Sequence, residues 1–343
     1  MSAVEATVTR VGAAELRAAV HAALTAAGAV PDEAAVQAEQ LVEGDLRGHP
    51  SHGVRRLPVL VTRLRAGLIV SGAGVGCEWR TPGLAVVDGR RGFGPVVARH
   101  AAGLAVERAA TQGVAVAAVR GSGHVGMLAP YLETMVDGDC VALVLTISEA
   151  LVHPWGGARA MVGTNPVGIG VPTGGDPLIL DMSTGAVSMG RILDHAAREE
   201  AIPLGWAIDA AGAPTTDATA AAGGAISPFG GPKGYALGVA LETLVAALTG
   251  SALGAAVTGT LDTEHPSTKG DVFVAFSVDA MGLAPRLAGI AGYLDDVRAS
   301  GDGAPVTVPG DRARATRERH LRDGVPVDAA VWRQVRELAE ETE

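Results

Sequence analysis

Cysteine, lysine and aromatic residues are all scarce in this chain. Cys77 and Cys140 are the only cysteines among 343 residues. Two are too few for a disulfide framework and lack metal-ligand spacing, which fits a reducing compartment. An excess of positive charge is missing as well. The net charge is -10, so nucleic acid and anionic membrane are disfavoured as main partners, and only a local basic pocket for a small anion is left open. The opening stretch "MSAVEATVTR" has an early Glu5 and no continuous apolar core. No signal peptide is expected there, and a cytoplasmic location is. The least charged stretch, 234–259, carries only Glu242. Its Gly and Thr content and polar flanks predict a buried helix followed by a loop and strand, not a membrane span.

Hydrophobic residues make up 48% of the chain and charged residues 19%, the balance of a compact protein with two or three domains. All basic residues except Lys233 and Lys269 are arginine. Such a bias goes with a GC-rich genome, so arginine counts carry little functional weight and the two lysines stand out. Residues 12–47 predict two amphipathic helices, the second opened by Pro31, and a third helix is expected over 54–66. From residue 84 short apolar runs such as "LAVVDG", "GVAVAAV" and "CVALVLTI" alternate with helices at 95–111 and 127–137. This is the pattern of α/β/α layers around a sheet. A Gly-, Pro- and Thr-rich segment, 202–231, predicts an excursion over the surface or a pocket rim. A long helix from Lys233, a strand at "DVFVAFSVD" and a charged helical tail from 285 complete the chain. No low-complexity linker divides it. Residues 1–75 and 285–343 are therefore expected to form one helical domain, and 76–284 a sheet domain with an excursion over 191–231.

"GSGHVG", 121–126, matches the Gly-x-Gly-x-x-Gly dinucleotide fingerprint after a strand, with Glu149 near the place of a ribose-binding acid. Pro130 then falls inside the helix that would receive the pyrophosphate, and 47 glycines make the match cheap. The competing reading is a bent strand-end loop that turns His124 toward a cleft, where an imidazole suits proton transfer. In "HPSHGVRRLP", 49–58, Ser51, His52 and Arg56 can offer a hydroxyl, an imidazole and a carboxylate-gripping guanidinium to one small ligand. The plainer alternative is a serine-histidine cap on the third helix. Arg55 is expected to face solvent. His49 and His52 have metal-like spacing, but Pro50 distorts the turn and no further ligands cluster, so no metal is expected. "WGG" (155–157), "GTNP" (163–166), "LDMSTGAVSMG" (180–190) and "GGPKGYALG" (230–238) allow close backbone approach to a ligand. There Lys233 can meet a phosphate at a helix start.

Taken in order and spacing, "SHGVRRLP", "GSGHVG", "PWGG", "GTNP", "LDMSTGAVSMG" and "PKGYALG" resemble the malate/L-lactate dehydrogenase family of NAD(P)-dependent 2-oxo acid reductases. That family includes ureidoglycolate and sulfolactate dehydrogenases and cyclic imine (piperideine-2-carboxylate) reductases. The resemblance spans about residues 10–325. It implies a three-layer α/β/α sandwich around a mixed, largely antiparallel sheet, without a Rossmann domain, plus a helical domain from both chain ends. It also implies a homodimer or larger assembly, NAD or NADP as cofactor and a small carboxylate substrate. His124 then matches the acid/base histidine. Ser51, His52 and Arg56 match the substrate motif, to which Thr164 and Asn165 are added. Ser148, Met182, Ser183, Thr184 and Lys233 match positions lining the nicotinamide cofactor, Asp181 lies beside them and Gly234 is added as a cofactor contact, and Arg312, with Arg314, is a candidate for a 2′-phosphate. The chain departs from the pattern at "LTISEALVHPWGG", which introduces Glu149 and His153, at Ala236 and at "TLDTEHPSTKGD". An added carboxylate at Glu149 would suit a basic imine, making imine reduction the alternative activity. A catalytically silent binding homologue is the alternative of another class.

Overall fold

A computed structural model describes residues 8–341; most of the stretch on which the signal-peptide expectation rests lies outside them. The central sheet has seven strands in the order Gly76–Thr81, Leu84–Gly92, Val114–Ser122, Gly270–Ser277, Cys140–Thr146, Val167–Val171, Leu178–Met182. Leu84–Gly92 and Val114–Ser122 are parallel, as the crossover helix Gly94–Gln112 between them requires. The other neighbouring pairs are antiparallel. On one face, helices Gly94–Gln112 and Ala129–Asp137 pack through Ala101, Ala105 and Leu132 against Ala117, Val119 and Phe273. The run of alanines lets the long helix approach the sheet closely. On the other face, helix Pro232–Thr249 sets Leu241 and Val245 over Leu145 and Val272. This is the expected three-layer arrangement with a mixed, largely antiparallel sheet.

The two chain ends meet. Val8–Val11 pairs antiparallel with Val325–Asp328. Helices Ala13–Ala26, Pro31–Leu46, Leu57–Arg65 and Ala329–Glu340 share a core that includes Leu16, Leu46, Leu57 and Val335. Arg47 ties this helical body to the sheet layers: its guanidinium makes a two-pronged bond to Glu133 at 2.7 and 2.8 Å and a third bond to Glu43 at 2.9 Å.

Four local expectations are corrected. The predicted helix over 54–66 begins only at Leu57. Before it the chain makes two 3-10 turns, Pro50–His52 and Val54–Arg56, separated by extended Gly53. Pro130 does not interrupt a helix, because it lies in the first turn of Ala129–Asp137, where a missing N–H costs nothing. The predicted surface excursion is an ordered body. A second sheet joins Ala150–Val152, Val162–Gly163, Ala207–Ile208, Pro214–Thr215 and Ala225–Ile226 around a core with Val152, Ile192, Ile202 and Ile226. Its strands of two or three residues are too short to show alternation in sequence. In 234–259 the helix is followed by a 3-10 turn, Gly254–Ala256, in place of the expected strand. That helix is buried on one side only, leaving Leu237, Leu244 and Leu248 exposed. Among the described residues no helix is long and apolar enough to cross a membrane.

Candidate active site

The turn carrying Ser51 and His52 is built on a buried acid. Asp45, near the end of helix Pro31–Leu46, accepts the Val54 N–H at 2.8 Å. A Cβ on Gly53 would overlap its carboxyl, so glycine is required for this approach. Burial pushes the Asp45 carboxyl up to about 7, against the Val54 bond and the charge of Arg55. The helix Leu57–Arg65 has no side-chain cap, which disposes of the reading of Ser51 and His52 as one. Ser51 Oγ instead lies 3.1 Å from His52 Nδ1. Arg55 is partly exposed, as expected, and pairs with Asp194. His49 is half-buried, and burial with the charges of Arg312 and Arg47 lowers its pKa.

The loop after strand Val114–Ser122 brings His124 to this turn. The His52 and His124 rings stack with centroids 5.5 Å apart and planes inclined by 29°. Gly126 N–H donates to His124 Nδ1 at 3.1 Å, which leaves Nε2 as the protonated nitrogen of the neutral ring. Both rings are half-buried. Burial, then Arg56 and His49, lowers His52 to about 3. Burial, then Arg56, His52 and Lys269, holds His124 well below the usual imidazole range. Arg56 itself is lowered to about 10, by burial first, with Glu149 opposing the shift. Two uncharged imidazoles beside a guanidinium make a site that accepts an anion and moves a proton.

The glycine fingerprint does not hold a dinucleotide. The donors that a pyrophosphate would need at the start of helix Ala129–Asp137, the N–H groups of Leu128 and Ala129, both go to Asp181 Oδ2, at 2.7 and 2.9 Å. Asp181 is thus a clamp on the His124 loop, and burial raises its pKa. Gln40 supports the same loop, donating to Met127 O at 2.8 Å.

The other predicted positions divide between a polar seam and the frame behind it. Ser148 Oγ accepts the Thr164 N–H at 2.9 Å and lies 3.1 Å from Thr164 Oγ1. Thr184, buried, donates to Thr164 O through its N–H (2.7 Å) and hydroxyl (2.9 Å). Met182 and Ser183 are half-buried alongside. Asn165 belongs to the frame: it is fully buried and its amide donates to Gly238 O (3.1 Å) and Glu242 (2.7 Å). Gly234 is a packing requirement, since a Cβ there would overlap the Phe229 carbonyl. Lys233 stands exposed on the first turn of helix Pro232–Thr249, which no side chain caps. Ile179 N–H reaches Pro309 O at 3.4 Å, setting helix Asp311–Asp323 and its exposed Arg312 beside strand Leu178–Met182. Arg314 is spent on Asp311 and Pro177 O. His153 is buried, bonded to Pro154 O and Ser227.

Asp45, Gln40 and the Arg47–Glu133 link escaped sequence reasoning, since nothing local marks a carboxylate or amide as buried. Lys269 stood out only by rarity. It is buried and forms an ion pair with Asp271 at 2.5 and 2.6 Å, which Thr146 also joins at 2.5 Å. Among the described residues there is no group of three or more His, Cys, Asp or Glu arranged to hold a metal ion.

A sequence model described as malate/L-lactate dehydrogenase matches residues 11–336. L-sulfolactate dehydrogenase of Methanothermobacter thermautotrophicus is 37% identical over 307 residues, 89% of each chain. Delta(1)-pyrroline-2-carboxylate/Delta(1)-piperideine-2-carboxylate reductase of Pseudomonas aeruginosa is 34% identical over 309 residues, 88% of this chain and 91% of that one. The crystal structure of a dehydrogenase from Sinorhizobium meliloti superposes with a TM-score of 0.93 at 44% identity, covering 97% of this chain and 98% of that one. The chain belongs to the malate/L-lactate dehydrogenase family.

Proposed function

We propose that this oxidoreductase moves a hydride between a nicotinamide cofactor, NAD or NADP, and C2 of a small 2-oxo or 2-hydroxy carboxylic acid. The observation that carries this reading is the stacked His52–His124 pair beside Arg56. Arg56 anchors the carboxylate by two parallel hydrogen bonds. Ser51 and His52 orient the oxygen at C2, and His124 exchanges a proton with it. A carboxylate on Arg56 offsets one of the charges that keep His124 uncharged, so substrate binding raises the proton affinity of the ring where the proton is needed.

The cofactor, when bound, gives or takes the hydride. The chain's residues fit such a group. Lys233 and the uncapped start of helix Pro232–Thr249 suit a phosphate, and the hydroxyls of Ser148 and Thr164 offer hydrogen bonds along the seam. Met182 and Ser183 lie beside them, and exposed Arg312 suits a 2′-phosphate. Two free cysteines fit the cytoplasmic location where such cofactors are abundant.

We read the chain as a homodimer. Helix Pro232–Thr249 exposes Ala236, Leu237, Ala240, Leu244, Ala247 and Leu248 with no charge among them, and a second copy is the partner that such a face fits.

Oxidation of NADH and NADPH, followed against a panel of 2-oxo acids and cyclic imines, tests the function. Turnover with oxo acids is expected; turnover confined to cyclic imines would replace the acid with an imine, and none at all would return the silent-homologue reading.

A further inference from the structure

Two of the departures from the resembled pattern, Glu149 and the segment around "TLDTEHPSTKGD", meet in space. The segment is a loop with a closed neck. Thr258 N–H donates to Thr268 Oγ1 at 2.9 Å, Thr268 N–H returns to Thr258 O at 3.2 Å, and Thr268 Oγ1 donates to Ala256 O at 3.0 Å. Asp262 organises the tip by accepting the N–H groups of Gly259, Glu264 and His265 at 2.7 to 2.9 Å.

Three charged side chains, Glu149, Arg56 and Arg63, dock this loop. Glu149 Oε1 accepts the N–H groups of Thr260 (2.6 Å) and Leu261 (2.9 Å). Arg56 Nη2 donates to Thr260 O at 2.5 Å, and Arg63 Nη1 donates to Asp262 O at 2.5 Å. Thr260 is buried, and its N–H and carbonyl both work: one end is held by Glu149, the other holds Arg56. A guanidinium has five N–H donors. Spending one on Thr260 leaves enough for a carboxylate while fixing a long side chain that would otherwise lose its freedom on binding.

We propose that Glu149 is a positioning residue that aims Arg56 at the substrate carboxylate through Thr260. The proposal rests on Arg56 being the carboxylate anchor. It assigns the added carboxylate of Glu149 to the enzyme's own loop and not to a basic substrate. The departures at 149 and 258–268 are then one device: the loop supplies the peptide, and Glu149 supplies the acceptor that orients it.

Steady-state kinetics of E149A, E149Q, E149D and R56K, with reduced cofactor and the best acid from the panel, test this. E149A should raise KM on the order of tenfold with kcat changed less than about twofold, because one aligning contact is lost and the chemistry is not. E149Q keeps an oxygen that accepts both N–H groups and should stay within about threefold of the parent KM. E149D keeps the charge but retracts the carboxylate by one methylene, so it should raise KM; it also serves if E149A is too unstable to assay. An unchanged KM in E149A or E149D, or E149Q as impaired as E149A, overturns the proposal. R56K separates the two levels: an unchanged R56K removes Arg56 as anchor, whereas a damaged R56K beside an unchanged E149A removes only the role of Glu149.

Discussion

His52 and His124 stack at 5.5 Å between ring centroids, although one sits in a 3-10 turn of the helical body and the other in a loop leaving the central sheet. Neither element alone makes the site. The turn brings Arg56 with it, and the loop is held in place from beneath by Asp181 and Gln40. The geometry of the pair therefore depends on how the two bodies are joined, to which the bond between Arg47 and Glu133 contributes.

His124→Ala should still bind reduced cofactor, measured by fluorescence titration, yet lose turnover by about 10²–10⁴-fold, the usual worth of a positioned acid-base group. Near-normal turnover would remove His124 from the proton path.

The pH profiles should differ in a stated direction. Burial and Arg56 lower the His124 pKa in the free protein, and a bound carboxylate offsets Arg56. For reduction of an oxo acid, which needs the protonated ring, kcat/KM should therefore begin to fall at a lower pH than kcat does. Coincident breaks in the two profiles would show that the substrate charge does not reach His124.

Arg56→Lys should cost on the order of a hundredfold in kcat/KM, because an ammonium cannot reproduce the paired contact. The loss should grow if the acid is replaced by a ligand that needs both hydrogen bonds in one plane, and vanish if the carboxylate binds elsewhere.

Asp45 gives stability an inverted acid dependence. Its carboxyl is raised from 3.8 to about 7 by burial, so the folded chain holds this proton more tightly than the unfolded chain. The penalty for ionising it is absent below about pH 4, grows between 4 and 7, and is complete above that. Asp45→Asn, whose amide oxygen can still accept the Val54 N–H, should gain about 2–4 kcal/mol on the parent at pH 8 relative to pH 4, read by chemical denaturation. An equal difference at both pH values would mean that Asp45 is already ionised in the fold.

Lys269 and Asp271 are buried as a pair. Lys269→Met should destabilise by about 3–5 kcal/mol, since it strands a carboxylate, while Lys269→Met with Asp271→Leu should cost less than the single change. Thermal unfolding of the two variants decides it; a double variant worse than the single one contradicts this account. On the outer face, Leu244→Glu places a charge in the apolar stripe of helix Pro232–Thr249 and should shift the chain toward monomer in light scattering. A mass unaffected by this change would place any self-association elsewhere.

Much of this protein is legible in one dimension. Short apolar runs between glycines mark strands because strands need only local alternation, and the helices at Gly94–Gln112 and Ala129–Asp137 follow from local periodicity. The order of six motifs carries the family, and with it the types of residue at the site. Other features were decided by tertiary structure, because they depend on which groups lose water and what then faces them. Asp181 and a Gly-x-Gly-x-x-Gly loop look like nucleotide machinery until the carboxylate is found on the very amides a phosphate would use. Asn165 looks like a substrate contact until its amide is found buried against Glu242. Glu149 looks like an acid for a basic ligand until Thr260 and Leu261 are found bonded to it. Sequence determined the longer elements and the chemical inventory, since both are local. Long-range packing alone chose which polar groups satisfy each other and which are left without a partner, since a hydrogen bond between residues a hundred positions apart leaves no periodicity to read.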